Sequence, residues 1–133
     1  MSELKFVDQD HKDFYETFVP VVGKDAYFKS VVYLLGLCAD TRNNYRSVFN
    51  PEAKEISLEG LKSGWQTGTS MKITRLAFNL WNGMTCDSNE DFEEDKVSPQ
   101  YAVDEIFCCG YAPYFYEAIK LRYPEYCQEN KSI

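Results

Sequence analysis

The side chains able to do chemistry in this chain gather at a few places. His11, the only histidine, stands among Asp8, Asp10 and Asp13. A carboxylate beside an imidazole holds it in one tautomer and raises its basicity, which is how a general base is built. No defined nucleophile or metal partner accompanies it, so a core or rim histidine bonded to a carbonyl is the preferred reading. The second place is the turn Gly64-Trp65-Gln66-Thr67-Gly68-Thr69-Ser70, which leads into a helix. Unpaired N–H groups and the helix dipole at such a start favour an anion, so Gly68, Thr69 and Ser70, with Lys72 and Arg75 a turn further on, form a candidate anion site. The turn has neither the Gly-Lys-Ser/Thr of a P-loop nor a G-x-G-x-x-G pattern. A tight turn with Trp65 packed as a lid on the core accounts for the same residues and is preferred.

Asp87, Glu90, Asp91, Glu93, Glu94 and Asp95 crowd one segment, offset only by Lys96, and carry most of the formal net charge of -7. Asp87, Asn89 and Asp91 alternate as the first ligands of an EF-hand loop do, but Phe92 replaces the required glycine and Ser98 the bidentate glutamate. A solvated acidic loop over residues 85–97 is expected, and no metal. The other functional reading of the loop is mimicry of a phosphate backbone, with carboxylates occupying a partner's basic groove. The chain itself has no basic run or stripe, which argues against direct nucleic-acid binding.

Cys38, Cys86, Cys108, Cys109 and Cys127 are odd in number and lack a C-x-x-C spacing, the pattern of reduced thiols in the cytoplasm. Cys108 and Cys109 read as small buried hydrophobes within a helix. One histidine and these spacings assemble no zinc set. Tyr111, Tyr114 and Tyr116 belong to an aromatic run richer than one helix face can bury; with Trp65 they form the candidate interaction patch.

The elements that must position these groups are mostly helical. With 133 residues, 44% of them hydrophobic and 16% aromatic, the chain is expected to be one domain with a core of its own, without cofactor. No stretch approaches the length of a membrane span, so no membrane partner is expected. Periodicity predicts a first helix from an Asp8 or Asp10 cap to Val19, stopped by Pro20. A broad stripe of Phe28, Val31, Val32 and Leu35 marks a central, well-buried helix. A short polar helix over residues 41–48, capped by Asp40, precedes an extended or hairpin segment near residues 49–58. The central amphipathic helix buries Ile73, Leu76, Ala77, Leu80 and Trp81, with Thr67, Thr69 or Ser70 as cap and Gly83 as its left-handed end. Ser98-Pro99 opens another helix ending near Gly110, and a last one runs from Ala112-Pro113 to before Pro124. The expected fold is all-α, or mainly α with one short hairpin: a compact irregular bundle of about six helices.

Phe6, His11-Lys12, Phe14, Tyr33-Leu34-Leu35-Gly36, Gly64-Trp65-Gln66-Thr67, the run from Leu76 to Gly83, and Glu117-Ala118-Ile119-Lys120-Leu121-Arg122-Tyr123 follow one another in an order that resembles domain-of-unknown-function family 6075. That group consists of small proteins of Gram-positive bacteria and their mobile elements. The acidic loop looks like an insertion against its pattern. The resemblance implies an intracellular helical protein and supplies no catalytic residue; its mobile-element association implies interference with a host defence or regulatory protein.

Three functional readings result. The first is a small accessory protein that binds a protein partner without catalysis, through Trp65, Tyr111, Tyr114 and Tyr116, and as a homodimer. The second is an acidic inhibitor of a nucleic-acid enzyme. The third is an anion- or nucleotide-binding protein or enzyme, in which His11, Lys72 and Arg75 converge near the turn after Gly64.

Overall fold

The computed structural model describes residues 4–22, 25–90, 92–93 and 95–127. Six helices are formed: α1 (Gln9–Val22), α2 (Ala26–Leu35), α3 (Ala39–Asn43), α4 (Gly68–Asn82), α5 (Val103–Ile106) and α6 (Ala112–Arg122). A two-stranded antiparallel hairpin, β1 (Phe49–Asn50) with β2 (Glu55–Ile56), pairs Phe49 with Ile56. The chain is therefore mainly α with one short hairpin, as the pattern predicts.

Helix α2 is the axis of the fold. Phe28 and all of residues 30–35 are buried, and α1, α4 and α6 pack around it. Burying a large apolar side chain contributes roughly 1.5–3 kcal/mol, so a helix apolar on every side belongs at the centre. Its start is capped by Asp25, whose carboxylate accepts from the N–H groups of Tyr27 and Phe28. Its other end lies inside the protein, where the last four carbonyls of a helix have no intrahelical donor. Each receives one here. Gly36 N–H bonds Val32 O, His11 Nε2 bonds Tyr33 O, Leu37 N–H bonds Leu34 O, and Thr41 Oγ1 bonds Leu35 O. Burial of the polar residues His11 and Thr41 follows from this requirement.

Helix α1 does not stop at Val19: it continues through Pro20 to Val22. Pro20 falls in the last turn, and both it and Glu16, whose carbonyl loses its donor, are exposed rather than buried in the core. The predicted helix over residues 41–48 divides into α3 and a 3₁₀ turn, Tyr45–Ser47, and Asp40 lies in the first turn of α3 while Cys38 holds the cap position. The helix expected from Ser98 to Gly110 also divides, into a 3₁₀ turn, Pro99–Tyr101, and α5, with Ala102 extended between them. Tyr101 and Ile106 are both buried; five residues apart, they would sit about 140° from each other on an unbroken helix. The break turns both inward. Cys108 and Cys109 follow α5 rather than lying within a helix, and Cys108 is exposed, not buried.

Helix α4 is bounded as its ends foretell. Thr67 Oγ1 accepts from Ser70 N–H while Ser70 Oγ accepts from Thr67 N–H, a closed capping box, and Gly83 ends the helix at φ 79°. Between hairpin and α4 lies the 3₁₀ segment Leu58–Lys62. Gly60 there passes so close to the chain that a Cβ would stand 2.2 Å from Ser47 O.

Candidate functional site

His11 is fully buried. Its Nε2 lies 2.7 Å from Tyr33 O, which can only accept, and its Nδ1 accepts from Val7 N–H at 3.1 Å. The ring is thus the neutral Nε2–H tautomer with both nitrogens engaged. Asp8, three residues ahead, takes the backbone N–H of His11 rather than its ring. Burial pulls the imidazole pKa below its usual value, although the bond to Tyr33 and the charge of Asp8 oppose the shift. A side chain so placed has no lone pair to offer a substrate proton.

The anion candidates are dispersed by other bonds. Lys72 Nζ donates to Glu105 O, and Arg75 grips Asp87 through Nε at 3.1 Å and Nη2 at 2.8 Å. Ser70 Oγ takes Thr67 N–H, and Gly68 and Thr69 are exposed in the first turn of α4. The two cations that would gather a phosphate there are bonded to the α5 backbone and to the start of the acidic segment.

That segment is partly neutralised. Asp87 is held by Arg75: burial raises its pKa, but the hydrogen bond and charge of Arg75 overcome this and leave it below its usual value. Glu93 pairs with Lys96 at 2.9 Å, Glu90 and Asp95 are exposed, and Asp91 and Glu94 lie outside the described residues. Tyr101 comes close to Asp87 without reaching hydrogen-bond geometry; burial, and then the charge of Asp87, push its phenol pKa well up.

Of the expected patch, Trp65 is half-buried and donates Nε1–H to Ser47 Oγ at 3.0 Å. Tyr111 and Tyr114 pack against the core. Tyr116 is the exposed member, with Lys120 Nζ 4.9 Å from its ring centroid.

The periodicity of the sequence gives no hint of a groove of about 1000 Å³ between the hairpin and 3₁₀ segment on one side and the end of α4 with the start of the acidic segment on the other. Ile56, Leu58, Trp81 and Met84 supply its apolar lining; Lys54, Glu55, Glu59, Lys62, Asp87 and Glu90 supply its charge. Gly60 seats one wall against Ser47 and the Arg75–Asp87 pair anchors the other. Trp81 is fixed by edge-on contacts with Phe28 and Phe49, and Tyr27 lies 6.5 Å from it. The signal that could have marked this groove is Lys54-Glu55-Ile56-Ser57-Leu58-Glu59, where Ile56 and Leu58 alternate with polar and charged residues.

A family model described as a family of unknown function (DUF6075) matches residues 1–133. The chain belongs to DUF6075. No curated protein and no solved structure matches it. Among the described residues of this DUF6075 protein, no helix is long and apolar enough to cross a membrane, and no three His, Cys, Asp or Glu side chains are grouped to hold a metal ion.

Proposed function

We propose that this DUF6075 protein is a non-catalytic accessory protein that works by holding a protein partner. The observation that carries the reading is the groove beside Trp81: it is open, its apolar lining reaches solvent, and its rim bears charges of both signs. Protein partners are bound by such surfaces, with an aromatic anchor and a polar rim. The groups best suited to chemistry point the same way, because His11, Lys72 and Arg75 are each already bonded to other residues of the chain. The aromatic residue expected to anchor the contact thereby shifts from Trp65 to Trp81.

The test is affinity capture from lysate of the encoding cell, followed by measurement of the purified pair. Glu59→Arg combined with Lys62→Glu alters one wall at two exposed positions and leaves the core intact. Loss of the partner by the double variant, with an unchanged thermal melt, is the expected result. Equal affinity for wild type and variant would remove the groove as the binding surface.

A further inference from the structure

The four arginines of this chain fall into two groups. Arg46 closes a two-bond fork on Glu52, at 3.0 and 2.8 Å, and Arg75 closes one on Asp87. Arg42 donates to Gly36 O and stands 3.9 Å from Asp10. Arg122 differs. Its Nε donates to Leu80 O at 2.8 Å, and its guanidinium carbon lies 3.6 Å from the centroid of the Tyr27 ring and 4.5 Å from that of Tyr123. Among the described residues, neither of its Nη atoms meets a carboxylate.

Rings packed this close to a guanidinium take water away from it, and the bond to Leu80 restricts the rotation of its plane. What stays polar is the in-plane edge carrying Nη1 and Nη2, whose parallel hydrogens match the two oxygens of a carboxylate. Tyr27 is 46% exposed, so the stack sits at the surface. Little side-chain entropy is left to lose on binding there. Tyr27 also touches Trp81, which lines the groove, so stack and groove adjoin. A chain with a net charge of -7 repels polyanions as a class; a single carboxylate brings one charge and the planar geometry the fork requires.

We infer that the Arg122 fork, packed against Tyr27 and beside Tyr123, receives an aspartate, glutamate or chain-terminal carboxylate of the protein partner. The inference rests on the binding function proposed above and adds the chemistry the partner must present. An acidic side chain entering here makes the same two-bond contact that Glu52 makes to Arg46.

The test follows the Arg122 Nε–H signal by NMR in the wild-type protein, so it does not depend on a variant folding. The probe is the capped peptide acetyl-Gly-Glu-Gly-amide, which brings one carboxylate, with its glutamine counterpart and inorganic phosphate as parallel arms. Saturable shifts of Arg122 Nε–H and the Tyr27 ring with the glutamate peptide alone are expected, and in Arg122→Lys the Tyr27 ring signal should report binding weakened about tenfold. No shift at Arg122, or a larger shift with phosphate, overturns the inference. So does a Glu129→Gln variant whose own Arg122 signal moves before any peptide is added, since the chain's own carboxylate then occupies the fork. With a captured partner in hand, Arg122→Lys should bind it about tenfold more weakly. Unchanged affinity in that variant, beside lost affinity in the groove-wall variant, removes this inference and leaves the binding function standing. Failure of both variants to weaken the partner removes this inference together with the groove as the binding surface.

Discussion

His11 Nε2 stands 2.7 Å from the carbonyl oxygen of Tyr33, closing the last turn of a buried helix from a neighbouring one. The same ring accepts Val7 N–H, so the segment ahead of α1 is pinned through His11 to α2. Lys5 and Phe6 continue the attachment. Tyr33 donates its hydroxyl to Lys5 O at 2.6 Å, and Phe6 packs on His11, Tyr15 and Tyr33. Glu117, buried beside Lys120, accepts Lys5 N–H.

The first prediction concerns acid. Burial holds His11 below its ordinary pKa of 6.5, so below that pH the unfolded chain binds more protons than the folded one. The stabilisation is complete above pH 6.5 and is lost as pH falls through 6.5 toward the depressed folded value. Protonation would set an Nδ1–H against Val7 N–H. Urea midpoints taken from about pH 8 to about pH 5 should decline on the acid side in the wild type. His11→Gln should start lower, by about 1–3 kcal/mol for the groups left unpaired, and show a flatter acid limb. Parallel limbs in the two proteins would clear His11 of the effect.

Gly60→Ala should destabilise the protein by about 1–3 kcal/mol. Its Cβ would meet Ser47 O at 2.2 Å and Val48 Cγ1 at 2.5 Å, and a backbone atom has little room to yield. The wall of the groove should loosen with it, seen as faster hydrogen exchange at Ser57, whose N–H bonds Val48 O. Gly64→Ala, where nothing lies within 4 Å, is the control. Equal stability of the two variants would contradict the packing described.

Asp87→Asn should cost about 1–2 kcal/mol, between the small worth of exposed pairs and the larger loss when a buried charge is left alone. Arg75 is the more enclosed partner, its side chain 14% exposed against 37% for Asp87. Because the Asp87 pKa lies below its ordinary 3.8, the pair's stabilisation is present above that pH and lost as pH falls below it. Asp87→Asn should therefore also reduce the change in urea midpoint below about pH 4; an unaltered acid limb would assign that loss to other carboxylates.

What could be read from the residues, and what could not, divides by range of interaction. The stripe from Phe28 to Leu35 states its own burial, and Thr67 with Gly83 state the ends of α4, because caps and periodicity act within a turn or two. The break at Ala102 was illegible, since it depends on which residues a distant element covers, and the passage of α1 through Pro20 was illegible because it depends on that turn being exposed. The candidate sites divide likewise. Lys72 and Arg75 share a helix face with the turn before them, yet their partners, Glu105 and Asp87, lie 33 and 12 residues away. Arg122 reads locally as a cation near the negative end of α6; the stack with Tyr27 joins residues from opposite ends of the chain. The groove arises from three segments that no local pattern relates.

The turn before α4 distinguishes a structural from a ligand-binding start most directly. Thr67→Ala removes the hydroxyl that accepts Ser70 N–H and should lower stability by about 1 kcal/mol, the usual worth of a helix cap. Were the turn an anion site, phosphate would raise the melting temperature by mass action, and the variant would lose that response. With Lys72 bound to Glu105 O and Arg75 to Asp87, the cations needed to hold phosphate are directed elsewhere. Phosphate at about 10 mM, compared with chloride at matched ionic strength, should leave the wild-type melt unmoved, and Thr67→Ala should melt lower by the same amount in both. A phosphate-dependent rise that disappears in Thr67→Ala would restore Gly68, Thr69 and Ser70 as a binding site.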